Sequence, residues 1–474
     1  MIKKLSQGHW PIFLLSSFSS VGNLFLPIIL VRILSPEDIG IYKIFFLHLT
    51  TLPFISMAGG PIHSVFYWIG KNPEERSKYL NATWTLTFFL SLLIIIIGLP
   101  MRGAISEQLD IPLQYVTILL VSGFLWTPGG HYSETTIASG KSGRGSLFDT
   151  FFEVTKVLGI LSLAYHFKDL SYVFLYFMSL LAMKLLVSYF RNATENKVKF
   201  EYSPEALKKV VTYALPLSIT GCLGFFIDKV DLLILSSLLD SSSFAFYSMG
   251  CLVVPPLYLL EMSVQKVLIP GLSKNFILKD WASASQIFRK SLSDISFLMI
   301  PAVFGLFTFA KPIVTLLYTD AYLDSVTYLK IFSLSYLLLI IPHDSVARAT
   351  GHTKWILKVY LLITPLSFVV AYFSAKYYGA IGILIVTLLL KSIPKILGLM
   401  LSKKLMNWKW SEMFPFKHLS YYLGLSAILS GTSQFFRSYF ESDMIWFFVC
   451  GSTFGVLYLG ISHWQLKRNK YANH

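Results

Sequence analysis

Charged residues are scarce in this chain, at 14% of 474 residues, whereas ordinary soluble proteins carry about a quarter. Acidic residues are the scarcer kind, because 25 aspartates and glutamates face 40 lysines and arginines, which leaves a formal net charge of +15. A mean hydropathy of +0.62 leaves little polar surface. A soluble protein of this size is excluded, and no nucleic-acid partner is expected, because such a binder concentrates its positive charge on a soluble face.

Cysteine is also scarce. Cys222, Cys251 and Cys450 are the only three, and each lies in an apolar stretch, which excludes a disulfide framework or a cysteine-based zinc site. The ten histidines show no metal-ligand spacing, so we expect no metal and no cofactor. The predicted outer loops are short and contain no catalytic constellation, and we therefore predict that the chain is not an enzyme.

Long apolar blocks are abundant. A hydrocarbon core about 30 Å thick needs roughly 20 apolar residues per helix, and such blocks recur from Trp10 to Trp464. The sequence predicts an all-α polytopic membrane protein with about 14 transmembrane helices, near 10–33, 39–62, 80–100, 113–138, 146–166, 169–190, 210–237, 243–268, 292–316, 324–347, 355–375, 379–402, 416–436 and 443–464.

The loop charges predict an orientation. With the N-terminus in the cytoplasm, the predicted inside loops contain 24 lysines and arginines and the predicted outside loops only five. This bias is typical of multi-pass membrane proteins. We predict cytoplasmic N- and C-termini, and most of the excess positive charge is explained by topology alone.

Two segments indicate an internal repeat. Residues 31–42 and 236–247 each end a long span, turn through polar residues and resume at a tyrosine, 205 positions apart. Ile137–Lys141 similarly parallels Arg348–His352. An even number of spans per half makes the repeat parallel, an arrangement that transporters use for alternating access. We predict two six-helix lobes, 1–200 and 201–404, followed by helices 13 and 14 and a cytoplasmic tail in 405–474.

Three motifs resemble those of one family. Arg32-Ile-Leu-Ser-Pro-Glu-Asp-Ile-Gly-Ile-Tyr42, the segment from Tyr213-Ala-Leu-Pro216 to Asp228-Lys-Val-Asp231, and Gly351-His-Thr-Lys354 are similar to motifs of the polysaccharide transporter (Wzx-type oligosaccharide flippase) family, within the multidrug/oligosaccharidyl-lipid/polysaccharide exporter superfamily. Ser35 stands where that family usually has glycine, and Ala245 replaces the glycine before the second tyrosine. Both departures fall in turns.

The resemblance implies a flippase that moves undecaprenyl-pyrophosphate-linked oligosaccharide, an O-antigen, capsule or exopolysaccharide repeat unit, across the bacterial inner membrane by alternating access. The implied partners are this substrate, membrane lipids and polysaccharide assembly proteins, and a monomer is expected. Two alternatives stay open: a cation-coupled multidrug exporter of the same superfamily, and a membrane polysaccharide polymerase or ligase. A proton or sodium gradient is the candidate energy source.

Intramembrane charges are the candidate functional residues, because each is costly to insert and usually faces a bundle interior or a water-filled path. Lysine and arginine there suit a diphosphate. We predict a cationic, substrate-binding cavity formed by Arg32, Lys156, Lys184, Lys229 and Arg348. Two of these have structural alternatives: Arg32 could pair with an acidic residue of its turn, and Arg348 could extend to the interface.

A second set is predicted for ion coupling or ion pairing. Glu153 lies three residues before Lys156 on the same helix face, where the two could neutralise each other. Asp228 and Asp231 share a face as well, and could hold a cation, share a proton or pair with a lysine.

Prolines and glycines are the predicted hinges. Pro27 lies in the first span, and Pro216, Gly221 and Gly224 lie in the seventh, the spans that open the two repeats. Broken hydrogen bonding at such positions permits bending. The alternative is that glycine and proline are simply common in membrane helices.

Overall fold

The computed structural model describes residues 10–71, 74–200 and 202–471. These residues form helices and short connections, without a strand, which confirms the predicted all-α fold. The helices are α1 (Trp10–Leu30), α2 (Pro36–Ile55), α3 (Gly59–Lys71), α4 (Arg76–Leu109), α5 (Leu113–Gly129), α6 (His131–Ala138), α7 (Ser142–Phe167), α8 (Leu170–Glu195), α9 (Pro204–Leu235), α10 (Ser241–Gly250), α11 (Pro255–Ile277), α12 (Trp281–Thr308), α13 (Ala310–Tyr318), α14 (Ser325–Ser333), α15 (Ser335–Leu339), α16 (Ser345–Ala349), α17 (Thr353–Met406), α18 (Trp410–Met413), α19 (Phe416–Phe435), α20 (Asp443–Trp446) and α21 (Ser452–Tyr471).

Several helices are long and apolar enough to cross a membrane. In the described part of the chain seven stretches pass by length and composition: α2, α4, α8, α9, α12, α17 and Asp443–Gln465. The pair α10 and α11, bent by 50°, would add an eighth as one broken span. The chain is thus a multi-pass membrane protein, while the count of fourteen spans stays a prediction.

Breaks and joins in the helices account for part of the difference between the counted and the predicted spans. The predicted span 324–347 is divided among α14, α15 and α16, and the predicted span 113–138 is broken between Gly129 and His131. Conversely, α17 joins two predicted spans, and Gly379 lies within it at φ 64° and ψ −158°, which marks a turn between two helices. Glycine adopts this conformation without the steric cost that a Cβ would add.

The first family-like motif forms a helix start. The Ser35 hydroxyl caps α2 by accepting a hydrogen bond from the Asp38 backbone N–H at 3.1 Å, and Pro36 occupies the first helical turn. Glu37 and Asp38 place negative charge at the positive end of the helix dipole. The Ser-Pro-Glu-Asp sequence therefore has a local structural reason.

Helix boundaries follow the predicted repeat. α1 ends at Leu30 and α2 begins at Pro36, and α9 ends at Leu235 and α10 begins at Ser241, both displaced by the predicted 205 residues. In the second pair of segments, Gly140 and Gly351 both adopt a left-handed φ, of 79° and 77°. Corresponding turns are therefore built in the same way.

Backbone contacts divide the described residues into two compact units, one ending at Ala245 and the other beginning at Phe246. The first unit contains α1 to α9 and most of the residues predicted for the site. The predicted lobe boundaries at 200 and 404 are placed by the internal repeat, whereas the two units are defined by backbone contacts. The lobe boundaries therefore stay a prediction. Within the first unit, aromatic stacking joins α2 to α8 through Phe45 and Phe174, with ring centroids 4.0 Å apart.

Candidate functional site

The first unit contains a cavity of about 580 Å³. Its walls come from α2, α3 and α5 to α9. Its lining includes aromatic side chains, such as Phe54, Trp126 and Phe177, as well as charged side chains. A cavity of this size falls in the range of ordinary ligand sites.

One helix supplies most of the charges. Asp149, Glu153 and Lys156 lie at positions i, i+4 and i+7 of α7, so their side chains form one stripe on the helix face. All three line the cavity, together with Lys184 of α8 and Glu134 of α6. The structure therefore brings three predicted site residues together, namely Glu153, Lys156 and Lys184.

The first ion pair lies within α7. The Lys156 ammonium donates to a Glu153 carboxylate oxygen at 2.5 Å, and the Asn23 amide of α1 donates to the same oxygen at 2.9 Å. The Lys156 side chain is only 11% exposed. Burial of a charge is tolerated when it is paired and hydrogen-bonded. The sequence leaves open that Glu153 and Lys156 neutralise each other, and the observed ion pair has this form.

The second ion pair joins two helices. The Lys184 ammonium of α8 lies 2.9 Å from an Asp149 carboxylate oxygen of α7. It also lies 5.7 Å and 5.8 Å from the ring centroids of Phe148 and Phe152, a cation–π distance. The Ser133 hydroxyl donates to the other Asp149 oxygen. Lys184 is thus held by charge and by aromatic rings together.

Glu134 differs from the other charged residues of the cavity. Its carboxylate makes no hydrogen bond and no ion pair within the described ranges, although it lines the same cavity as both pairs. Three carboxylates and two ammonium groups give these five side chains a net formal charge of −1. The lining is therefore a set of paired charges with one carboxylate in excess, and a guiding role of Lys156 and Lys184 toward an anion stays a prediction.

Buried hydrogen bonds fix the short helix that carries Glu134. His131 is fully buried, and its ring nitrogens lie 3.3 Å from the Thr83 hydroxyl and 3.3 Å from the Asn192 amide. The Tyr132 backbone N–H donates to the Ser188 hydroxyl at 3.1 Å. These contacts hold α6 against α4 and α8, so that Glu134 projects from a fixed support.

The remaining predicted residues lie elsewhere. Arg32 is exposed in the turn after α1, where its guanidinium donates to the Ile28 carbonyl. Arg348 belongs to the second unit and pairs with the buried Asp344 at 2.6 Å. Asp228, Lys229 and Asp231 lie near the end of α9; Asp228 is exposed and Asp231 is buried, and none of the three lines the cavity of the first unit.

The predicted hinges lie inside continuous helices. Pro27 is in α1 and Pro216 is in α9. Gly221 lines the cavity, and a Cβ built at this position would lie 3.6 Å from the Phe54 ring. A Cβ built at Gly224 would meet no atom within 4 Å. Their role in bending stays a prediction.

Two cavity residues were absent from the predicted site. Glu134 was recognisable as an intramembrane charge, and Asp149 could have been found from its i, i+4, i+7 stripe with Glu153 and Lys156. Its pairing with Lys184 is 35 residues distant in sequence, and no local pattern specifies it. Within the described ranges, no three metal-ligating side chains converge.

Comparisons with known proteins identify a family for the chain and solved structures with a similar fold. The model of a family described as polysaccharide biosynthesis protein matches residues 29–327. Among solved structures, the lipid II flippase MurJ in an inward closed conformation is similar, with a TM-score of 0.75 and 18% identity over 96% of this chain and 98% of that chain. No curated protein sequence matches.

Transporters of a related class are also similar. An inward-facing multidrug resistance MATE family transporter of the MOP superfamily has a TM-score of 0.58 and 15% identity, over 82% of this chain and 96% of that one. An outward-facing structure of such a transporter has a TM-score of 0.54 and 14% identity, over 84% and 94%. At these identities the likenesses establish the fold, and the similar proteins are transporters and flippases.

Proposed function

Because this chain belongs to the polysaccharide biosynthesis protein family, we propose that it is a flippase for undecaprenyl-pyrophosphate-linked oligosaccharide. The substrate class is an O-antigen, capsule or exopolysaccharide repeat unit, moved across the bacterial inner membrane by alternating access. Its termini are cytoplasmic, it acts as a monomer beside polysaccharide assembly proteins, and a proton or sodium gradient drives it. The match of fold and length to a lipid-linked flippase supports this proposal.

The paired lysines of the cavity are the observation that carries the proposal. Lys156 and Lys184 are each paired with one carboxylate. A diphosphate entering the cavity exchanges with these carboxylates as the partner of the ammonium groups, which replaces part of the hydration that the anion has lost. Both lysines thus stay paired before and after binding, and neither is left as an isolated charge.

Aromatic side chains suit the sugar part of the substrate. Trp126, Phe54 and Phe177 line the same cavity as the two lysines. Their rings offer apolar faces on which the C–H surface of a sugar packs, while the ion pairs lie on α7 and α8. The cavity therefore combines an anion-binding part with an apolar part, as a glycosylated diphosphate requires.

A cation-coupled multidrug exporter is the second candidate. The excess carboxylate of Glu134 favours it, because an uncompensated negative charge in a cavity attracts a cationic ligand. The likeness to multidrug transporters is compatible with it. Glu134→Gln would then abolish drug resistance and leave surface polysaccharide unchanged, whereas the flippase proposal expects no loss of drug resistance.

Removing the second ion pair as a unit tests the flippase proposal. The double variant Asp149→Asn/Lys184→Gln removes both members of the pair, so neither is left without its partner, and we expect the protein to fold and to reach the membrane at the normal level. Because a hydrogen bond to a charged group contributes about 1.5–3 kcal/mol, loss of the Lys184 ammonium should lower transport by about tenfold or more. The measurement is surface polysaccharide in cells that depend on this chain.

Lys184→Arg and Lys358→Gln are the controls. The first keeps the positive charge at the cavity and should retain most transport, and the second removes an exposed lysine of α17 that does not line the cavity. Normal polysaccharide levels in the Asp149→Asn/Lys184→Gln variant would show that Lys184 does not bind the substrate during transport.

A further inference from the structure

The second unit contains a groove of about 1150 Å³, which is larger than the cavity of the first unit. It lies between the N-terminal half of α12 and the start of α19, beside the short helix α18. The positive-inside count assigns this end of α12 to the cytoplasmic leaflet. The groove therefore lies at the level of lipid headgroups rather than at the membrane centre.

Three lysine and arginine side chains line the groove, namely Lys279, Arg289 and Lys290. Arg289 and Lys290 are exposed on α12, and within the described ranges neither makes a hydrogen bond or an ion pair. An arginine and a lysine side by side, with their donors unused, form a ready site for a phosphate group.

Two of the three lining carboxylates are already engaged. Asp280 caps α12 by accepting from the Ser283 backbone N–H at 3.0 Å, and this bond lowers the pKa of Asp280. Glu412 accepts from the Lys409 backbone N–H at 2.7 Å in a capping box at α18. Both carboxylates are held by helix ends, and within the described ranges neither forms an ion pair with Arg289 or Lys290.

Asp294 is the third carboxylate, and it differs from the other two. It is exposed in the groove and makes no hydrogen bond or ion pair in the described part of the chain. It lies one turn beyond Lys290, which corresponds to about 6 Å along the helix axis. The groove thus presents three positive groups, Lys279, Arg289 and Lys290, and, one turn beyond Lys290 along α12, a carboxylate that caps no helix end.

Aromatic residues form the floor. Trp408 and Tyr422 are buried there, and the Trp408 indole N–H donates to the Trp281 carbonyl at 3.0 Å. His418 and Ser293 join the walls of α19 and α12 through a contact of 3.1 Å. Tryptophan and tyrosine are enriched at the membrane–water interface, where lipid headgroups lie.

We propose that this groove binds the phosphoethanolamine headgroup of a zwitterionic membrane phospholipid. The phosphate is bound by Arg289 and Lys290, and the primary ammonium group by Asp294. The two-carbon linker of the headgroup separates its charges by a distance comparable with the helix turn between Lys290 and Asp294. A purely anionic headgroup would leave Asp294 facing negative charge, and a basic pocket without this carboxylate would favour such a lipid instead.

Lipid preference measured on the full-length protein tests the assignment. The purified chain is titrated by native mass spectrometry with phosphatidylethanolamine, phosphatidylglycerol and phosphatidylcholine of identical acyl chains. We expect phosphatidylethanolamine to bind best, since it alone combines the phosphate with an ammonium group that donates hydrogen bonds. Arg289→Gln/Lys290→Gln should weaken its binding by about tenfold, because two charge-assisted contacts are lost.

Asp294→Asn gives the sharper readout, because it should reverse the preference toward phosphatidylglycerol while binding is retained. Misfolding cannot produce such a reversal. Lys354→Gln/Lys358→Gln is the matched control, since it removes two exposed cations of α17 outside the groove and should leave all affinities unchanged.

Three results would overturn the proposal. Wild-type protein could bind phosphatidylglycerol or phosphatidylcholine as well as phosphatidylethanolamine, or Asp294→Asn could leave the preference unchanged. Undecaprenyl diphosphate could also displace the bound phospholipid from wild-type protein but not from Arg289→Gln/Lys290→Gln, which would assign the groove to a lipid diphosphate.

Discussion

Replacement of Gly40 by alanine is expected to prevent normal packing of the first unit. Gly40 lies in the first turns of α2, and a Cβ at this position would overlap the backbone carbonyl of Ser241 at the start of α10. The obstacle is backbone rather than the end of a flexible side chain, so relief requires one helix to move. Overpacking typically costs 1–3 kcal/mol and occasionally more, and we expect about 3 kcal/mol or more here.

Thermal unfolding of the purified chain measures this cost. Gly103→Ala is the matched control, because nothing lies within 4 Å of a Cβ built at Gly103. The control should unfold at the wild-type temperature or slightly above it, since alanine favours a helix over glycine. A Gly40→Ala protein as stable as the control would show that α2 and α10 do not approach each other as closely as described.

This contact gives the family-like motif a physical meaning. The glycine of Pro36-Glu-Asp-Ile-Gly40 lets α2 touch the turn before α10, which contains the corresponding segment of the repeat. The position equivalent to Gly40 in the second segment is Ala245, which is fully buried. The departure from the family pattern at Ala245 lies inside α10 rather than in the turn that the sequence predicts, and a small residue is still present there.

Replacement of Lys156 by methionine should be strongly destabilising. Its ammonium group is largely buried and is the ion-pair partner of Glu153. Removal leaves that carboxylate with the Asn23 amide as its remaining hydrogen-bond donor in the described part of the chain. Breaking a buried pair by removing one partner costs about 3–5 kcal/mol. We expect a fall of this order in the free energy of unfolding, measured by chemical or thermal unfolding of the purified chain.

The double variant Glu153→Gln/Lys156→Met is the informative comparison. It removes both charges, so most of the lost stability should return, and the double variant should be much less destabilised than the sum of the two single variants. Transport should stay low in the double variant, because the ammonium proposed for the diphosphate is absent. A double variant no more stable than Lys156→Met would contradict the ion-pair interpretation.

Much of the fold could be predicted from hydrophobic patterning. Apolar blocks separated by charge predict helices, and the offset of 205 residues between α1–α2 and α9–α10 was visible in the turn residues. Helix continuity was less predictable. The turn at Gly379 falls at the junction of two predicted spans, and the break between α15 and α16 contains Pro342, whereas the break between α14 and α15 follows no equally clear signal.

The candidate site could be predicted only in part. The cost of intramembrane charge indicated Glu153, Lys156 and Lys184, and helical spacing indicated the pair within α7. The partner of Lys184 could not be found in this way, because Asp149 and Lys184 meet through the packing of α7 on α8. Arg32 and Arg348 show the converse, since their local partners are Ile28 and Asp344 in their own segments.

Reconstitution of the purified full-length chain into vesicles tests the proposed flipping most directly. Undecaprenyl-pyrophosphate-linked oligosaccharide with a labelled sugar is placed in one leaflet, and its appearance in the other is followed with an impermeant sugar-modifying reagent. We predict translocation that depends on the protein, is lost in Asp149→Asn/Lys184→Gln and persists in Lys184→Arg. A translocation rate equal to that of protein-free vesicles, under an imposed proton or sodium gradient, would contradict the assignment as a flippase.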